Sequence, residues 1–149
     1  MNTRVVALIV GIITLGLGLA SLAYPDRILG LLGFAVVNPS SAAAAYGEVR
    51  ATYGGLFVVL GVFVLMGAID PTRYRPHLMM IGLAWLGICA GRLIGASIDG
   101  NPGLFGWIYA AFEGVMGVLL LVAALIGPPK AEGLTVGPGT TPPPGPTAF

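Results

Sequence analysis

Charged residues are scarce in this chain, and their scarcity excludes most soluble functions. Seven Lys and Arg and six Asp and Glu make up only 9% of the 149 residues, against about 25% in an ordinary soluble domain. So few charges cannot cover a surface that faces water, which excludes a soluble enzyme. A nucleic-acid binder is excluded as well, because contacts to phosphates need a dense basic surface.

Cysteine and histidine are also nearly missing, with Cys89 and His77 the single representatives of each type. One thiol cannot form a disulfide framework, and one Cys with one His cannot supply the usual ligands of a zinc site. No paired nucleophile and base and no phosphate-binding or dinucleotide-binding motif stand out. We therefore predict no catalytic residues, no metal and no cofactor, and we expect a protein that is not an enzyme.

Hydrophobic residues, by contrast, make up 56% of the chain and gather in four long runs, Val5–Ala23, Ala51–Ile69, Leu78–Ile98 and Leu104–Ile126. A helix needs about 20 apolar residues to cross the hydrocarbon layer of a bilayer, and each run reaches that length. The runs do not alternate apolar and polar residues, so the strands of a membrane β-barrel are excluded. We predict an all-α, integral membrane four-helix bundle over residues 1–127, with helices at about 5–23, 39–69, 78–98 and 104–126.

Proline placement supports these boundaries, because all twelve prolines lie outside the apolar runs. Proline in a helix interior costs about 3 kcal/mol, so it marks turns and helix ends. Asn38 followed by Pro39 fits the start of the second helix, with an N-cap and proline at the first helical position. Residues 128–149 contain seven prolines and four glycines, and we predict that they form a flexible Pro/Gly-rich C-terminal tail.

The first apolar run has a second interpretation. Arg4, the run itself and the small residues around Ser21 also fit a secretory signal peptide. The run of 19 residues is longer than the core of a usual signal, which favours a retained first span.

Two charges lie inside the apolar runs, Arg92 in the third and Glu113 in the fourth. At 1.5 Å per residue, Arg92 lies about 10 Å before the end of its helix and Glu113 about 14 Å after the start of the next. These two helix ends face the same side, so the opposite charges lie at similar depth. Contact between them would offset the cost of about 2.5–3.5 kcal/mol that a lone charge carries in a membrane. We predict an ion pair between Arg92 and Glu113.

This pair has two interpretations. A buried ion pair can simply fix the register and orientation of two helices, and intramembrane ionisable groups also mark ligand and proton sites. Other polar residues fall on helix stripes at the same level, and we predict an intramembrane polar cluster of Glu48, Arg50, Tyr53, Arg92, Asp99, Tyr109 and Glu113. Arg50 would be its third charged member, with Glu48 or Asp99 at the rim. Two arginines beside one deep glutamate would leave positive charge for an anionic headgroup, a carboxylate or a quinone oxygen.

Glycine is abundant, with 24 residues that lie mostly inside the predicted spans. Small residues four positions apart let helix backbones approach closely in lipid. The third and fourth helices carry such stripes, and we predict helix packing through Gly87, Gly91, Gly95, Gly106, Ala110 and Gly114. Glycines of the first two helices, such as Gly11 and Gly61, fit the same picture. The stripes fit either internal packing or a groove for another subunit or a lipid tail.

The polar segments also resemble a known family. These segments are Gly47–Gly55, Gly91–Gly95 and Asp99–Pro102, followed by Glu113 in the last helix. Together they resemble the bacterial domain of unknown function 4345 family, whose members are small four-span membrane proteins. The resemblance implies that Glu48, Arg50, Tyr53, Gly54, Arg92, Asp99 and Glu113 occupy the family's signature positions. It implies a fold and a site, and it implies no reaction.

Basic residues beside the spans predict the orientation. One side carries Arg4, Arg73, Arg75 and Lys130, and the other carries Arg27 and Arg50. The side richer in Lys and Arg faces the cytoplasm, so both termini are expected there. We expect a multi-pass protein of the bacterial cytoplasmic (inner) membrane.

Two functions fit these observations. The first is a non-catalytic accessory or structural subunit of a larger bacterial membrane complex. Such a subunit would contact membrane lipids and, through its glycine faces and its tail, other membrane protein subunits, and no nucleic acid. The alternative is a small binding or transport protein that holds a lipid headgroup, a quinone or a small anion at the Arg/Glu cluster. A membrane enzyme ranks third, because no nucleophile, metal set or activated base is present.

Overall fold

The computed structural model describes residues 2–36, 38 and 41–126, and these residues form five helices. We number them α1 (Thr3–Ala23), α2 (Pro25–Leu31), α3 (Ala42–Ile69), α4 (Arg75–Asp99) and α5 (Gly103–Ile126). All except the short α2 are long and apolar enough to cross a membrane. The predicted all-α fold with four membrane-compatible helices is therefore confirmed. Pro39 and the predicted tail, 128–149, lie outside the described residues.

Local sequence explains where the helices begin and end. Asn2 caps α1, because its side chain accepts a hydrogen bond from the Arg4 backbone N–H, as is typical of an N-cap. Pro25 opens α2 at a position where its missing N–H costs nothing. Between α4 and α5, Gly100 and Gly103 adopt φ angles of 99° and 75°, which side chains with a Cβ rarely tolerate.

Helices α1 and α3 form the first antiparallel pair. A Cβ added at Gly18 would lie 2.6 Å from the backbone nitrogen of Val58, and one added at Gly61 would lie 2.6 Å from that of Leu15. Glycine is therefore required at both positions, because only its absent side chain permits backbones this close.

Helices α4 and α5 form the second antiparallel pair. A Cβ at Gly82 would lie 3.1 Å from the carbonyl oxygen of Gly117, and one at Gly117 would lie 2.8 Å from that of Gly82. Two facing glycines thus bring these backbones together. Their contact also fixes which residues of the two helices meet farther along the pair.

The two pairs join through an apolar core and through a hydrogen bond between α1 and α5. The Thr3 hydroxyl, at the start of α1, donates to the carbonyl oxygen of Ala123, near the end of α5, at 2.9 Å. Phe57 of α3 and Trp85 of α4 lie with ring centroids 5.2 Å apart. The start of α1 and the end of α5 therefore lie on the same side of the bundle.

The expected glycine stripe of α4 does not pack against a neighbouring helix of the described chain, so internal packing is wrong for this stripe, and the alternative of a groove for another subunit or a lipid tail stays a prediction. A Cβ added at Gly87 or Gly91 would meet no atom within 4 Å in the described part of the chain, and one at Gly95 would meet only Asp99 of the same helix. The α4 stripe faces outward because α5 packs on the Gly82 face instead. On α5, a Cβ added at Gly106 would meet Pro102 of the preceding turn, one added at Gly114 would lie 3.4 Å from the Cys89 sulfur, and Ala110 is buried.

Helix α3 contains a π-helical segment, Val49–Gly55. Each π turn holds an extra residue, so side chains that share a face in an α-helix are turned apart. Arg50 and Tyr53, which α-helical spacing places together, therefore point to different neighbours.

Candidate functional site

The candidate site is built on an ion pair between α4 and α5. The Nε atom of Arg92 donates to both carboxylate oxygens of Glu113, at 2.7 Å and 2.8 Å. The Glu113 side chain is 7% exposed and that of Arg92 is 28% exposed. The residues that sequence spacing predicted to meet therefore do meet. Charge-assisted hydrogen bonds of this length are among the stronger ones in proteins.

Tyr109 of α5 contacts the ion pair through Arg92. The Arg92 guanidinium carbon lies 5.5 Å from the centre of the Tyr109 ring, within the range of a cation–π contact. The Tyr109 hydroxyl donates a hydrogen bond to the backbone carbonyl of Leu31 at the end of α2. Tyr109 thus connects the ion pair to the short helix that covers this end of the bundle.

Arg92 and Glu113 form one wall of a cavity of about 120 Å³ between the two helix pairs. All five helices contribute to its lining. Its other walls are mainly apolar, and they include a series of four aromatic rings in successive contact, Tyr53, Phe57, Trp85 and Phe112. The site therefore combines one polar wall with aromatic and aliphatic surfaces, which is the usual composition of a small-molecule site.

Trp85 is a member of this site that sequence reasoning missed. Its side chain lines the cavity and the residue is only 3% exposed. Its indole Nε1–H is buried and has no hydrogen-bond acceptor among the described residues. Buried donors of this kind are rare in proteins and call for an explanation. Trp85 lies seven residues before Arg92 and therefore on the same side of α4, but this spacing fits core packing as well as a binding site.

Three residues of the predicted cluster lie elsewhere. Arg50 is exposed, and its Nε donates to the carbonyl oxygen of Leu22 at 3.2 Å. Glu48 is exposed and accepts a hydrogen bond from Thr52 of its own helix. Asp99 is exposed at the last position of α4. Within the described ranges Arg50, Glu48 and Asp99 form no ion pair. The prediction that Arg50 is the third charged member of the cluster is therefore wrong.

The π segment explains part of this difference. Within this segment Tyr53 lines the cavity together with Arg92 and Glu113, in agreement with its predicted place in the polar cluster, whereas Arg50 donates to the end of α1. The cavity is thus lined by one arginine and one glutamate, without the surplus positive charge expected from the sequence.

Comparison with known proteins places the chain in a family. Residues 2–124 match the family described as Domain of unknown function (DUF4345). The chain belongs to this family. No curated protein and no solved structure matches the chain. Family membership confirms the resemblance seen in the polar segments, and it carries no reaction or ligand with it.

Proposed function

We propose that this chain is a multi-pass membrane protein that binds a small membrane-dissolved molecule in the cavity walled by Arg92 and Glu113. The observation that carries the proposal is the position of the ion pair. A pair that served only to fix helix register could be packed on every side, whereas this one borders a cavity lined by all five helices. Aromatic and aliphatic walls suit the apolar part of such a molecule, and the ion pair suits its polar group.

Native mass spectrometry of protein released from lipid nanodiscs tests this proposal. Leu17 lines the cavity, so Leu17→Phe fills it without touching a charge. Leu19 lies two residues away on α1 and is 52% exposed, so Leu19→Phe is the matched control. We expect one bound mass on the wild-type protein and on Leu19→Phe, and its loss from Leu17→Phe. Equal occupancy in all three proteins, or none in any, would contradict the proposal.

A specific observation also favours the accessory-subunit function. Gly87 and Gly91 leave a strip of α4 open in the described part of the chain, and such a strip permits close approach of another membrane helix. Purification from native membranes in mild detergent tests this, with Gly91→Leu as the blocking variant. A partner subunit that accompanies the wild-type protein and is lost with Gly91→Leu would support it. A wild-type protein that purifies without another protein would refute it.

The proposal includes a location. The four membrane-compatible helices suit a multi-pass protein of the bacterial inner membrane, and the arginines of the turn between α3 and α4 suit a cytoplasmic side. Both termini are then cytoplasmic. No catalytic step is proposed for the cavity. Its ligand enters from the surrounding membrane, in which it is dissolved.

A further inference from the structure

We propose that the group bound in this cavity is neutral, about the size of one ring, and carries carbonyl oxygens, which is the chemistry of a membrane quinone head. This inference rests on the proposed binding function and specifies its ligand. Four features of the cavity lead to it: an unpaired indole donor, unpaired guanidinium donors, a balanced charge and the size of the space.

The first feature is Trp85. Trp85 lines the cavity with its ring, and its buried Nε1–H has no acceptor in the part of the chain that the structure describes. An indole N–H can only donate, so a ligand group that satisfies it must be an acceptor such as a carbonyl oxygen. An ammonium or other donor group would leave it unsatisfied.

The second feature is Arg92. Glu113 engages only its Nε atom, and the two terminal nitrogens donate to none of the described residues. These nitrogens carry four of the five donors of a guanidinium. Because Trp85 and Arg92 lie two helical turns apart on one side of α4, about 10 Å along the axis, they offer donors to two separate acceptors.

The third feature is the charge of the site. Arg92 and Glu113 neutralise each other, and Arg50 donates to α1 instead. A bound carboxylate or phosphate would therefore bring a net negative charge into an apolar surrounding, where an unpaired ion is strongly disfavoured. A neutral acceptor obtains the same hydrogen bonds without that cost, so the structure favours a ketone or quinone oxygen over an anion.

The fourth feature is size and shape. The volume of about 120 Å³ is close to that of an engineered cavity of about 150 Å³ that takes up benzene. Phe57 and Phe112 lie on two sides of Trp85, with centroids 5.2 Å and 5.7 Å from its ring. Aromatic walls bind a further flat ring by stacked or edge-on contacts.

Titration with 2-decyl-1,4-benzoquinone in detergent micelles tests the inference. The protein has two tryptophans, so Trp107→Phe leaves Trp85 as the reporter in the cavity. We expect its fluorescence quenching to saturate, and to lose saturation in the double variant Leu17→Phe, Trp107→Phe. In Trp85→Phe the reporter is Trp107, which is half exposed and does not line the cavity. Its quenching should rise without saturation, as partition into the micelle predicts.

The rise of the unfolding temperature with added quinone gives the affinity of each variant, and so measures how much the indole donor contributes to quinone binding. Trp85→Phe removes the N–H and keeps an aromatic ring, and we expect it to bind the quinone about tenfold more weakly than Trp107→Phe does. Equal affinity of the two variants would overturn the role of Trp85. If Trp85→Phe does not fold, the saturable quenching of Trp85 and its loss on Leu17→Phe decide the question alone.

Binding tests with other compounds that carry a ten-carbon chain distinguish failure of this inference from failure of the proposed function. One outcome is saturable binding of decanoate or decyl phosphate that is lost in Leu17→Phe, with no binding of the quinone. This outcome would overturn the proposal of a neutral ligand and leave the binding function intact. Equal binding of monodecanoyl glycerol, whose ester carbonyl carries no ring, would overturn the requirement for a ring. No saturable binding of any compound, with no bound mass in native spectra, would refute the proposed function itself.

Discussion

At the residue scale, Arg50 shows how a buried-charge argument can select the wrong residue. The last four carbonyls of a helix have no partner within the helix, and Leu22 lies in the last turn of α1. Arg50 donates to the Leu22 carbonyl, so it stabilises a helix end, where a cation is also favoured by the helix dipole. Its sequence position beside a span is equally consistent with either role.

We expect Arg50→Gln to lower the free energy of unfolding by only about 0.5 kcal/mol, because an exposed cation at a helix end contributes that much. Glu113→Gln should lower it by about 3 kcal/mol, because it leaves the partly buried Arg92 without its counter-ion. Unfolding by titration with SDS in mixed micelles measures both. Similar losses in the two variants would show that Arg50 belongs to the polar site.

The ion pair of Arg92 and Glu113 could be predicted from sequence alone, whereas the role of Trp85 could not. Arg92 and Glu113 were predictable because two opposite charges in apolar helices at one depth stabilise each other by contact. Trp85 was not, because a tryptophan in an apolar run is as consistent with core packing as with a binding site. Only the packed structure shows that its N–H lacks an acceptor in the described residues.

At the scale of helices, four-residue spacing correctly predicted that glycines pack between helices, but on α4 it did not identify the glycine that packs inside the bundle, Gly82. Stripes with four-residue spacing occur on several helices, and the sequence does not state which face meets which neighbour. The glycines that lie closest to the partner backbone in the first pair are seven apart, Gly11 and Gly18 on α1 and Gly54 and Gly61 on α3. A seven-residue repeat keeps one seam in contact along an antiparallel pair, so this spacing was the more informative signal.

Gly61→Ala and Gly91→Ala form a matched test of this packing. The added methyl at Gly61 meets the Leu15 backbone, whereas at Gly91 it meets no described atom within 4 Å. We expect Gly61→Ala to destabilise the protein by about 1–3 kcal/mol through overpacking. Gly91→Ala should be neutral or stabilise it by up to about 1 kcal/mol, because alanine favours the helix. The opposite order in SDS unfolding would contradict the helix pairing.

At the scale of the whole molecule, the fold is two antiparallel helix pairs with a cavity between them. The apolar runs and the prolines were sufficient to predict the four long helices. The cavity was not predictable, because it depends on the side of α4 that faces α3 and on the π segment of α3. The four spans alternate in direction, so the turn between α3 and α4 lies on the side of the N-terminus.

Labelling with a membrane-impermeant maleimide tests this topology in intact cells. In a Cys89→Ala background we expect Asp26→Cys to be labelled from outside, and Thr72→Cys only after the cells are opened, because four alternating spans with a basic cytoplasmic side place these exposed positions on opposite sides. Labelling of both positions in intact cells, or of Thr72→Cys alone, would contradict the proposed orientation.

The contact between Arg92 and Glu113 inside the bundle underlies the cavity and its proposed ligand alike. A double-mutant cycle with Arg92→Met, Glu113→Leu and the combined variant measures this contact as a coupling in the free energy of unfolding. We predict a coupling of about 2 kcal/mol, with the combined variant more stable than Glu113→Leu, because replacing both ions leaves no unpaired charge. Additive losses from the two substitutions would contradict the account.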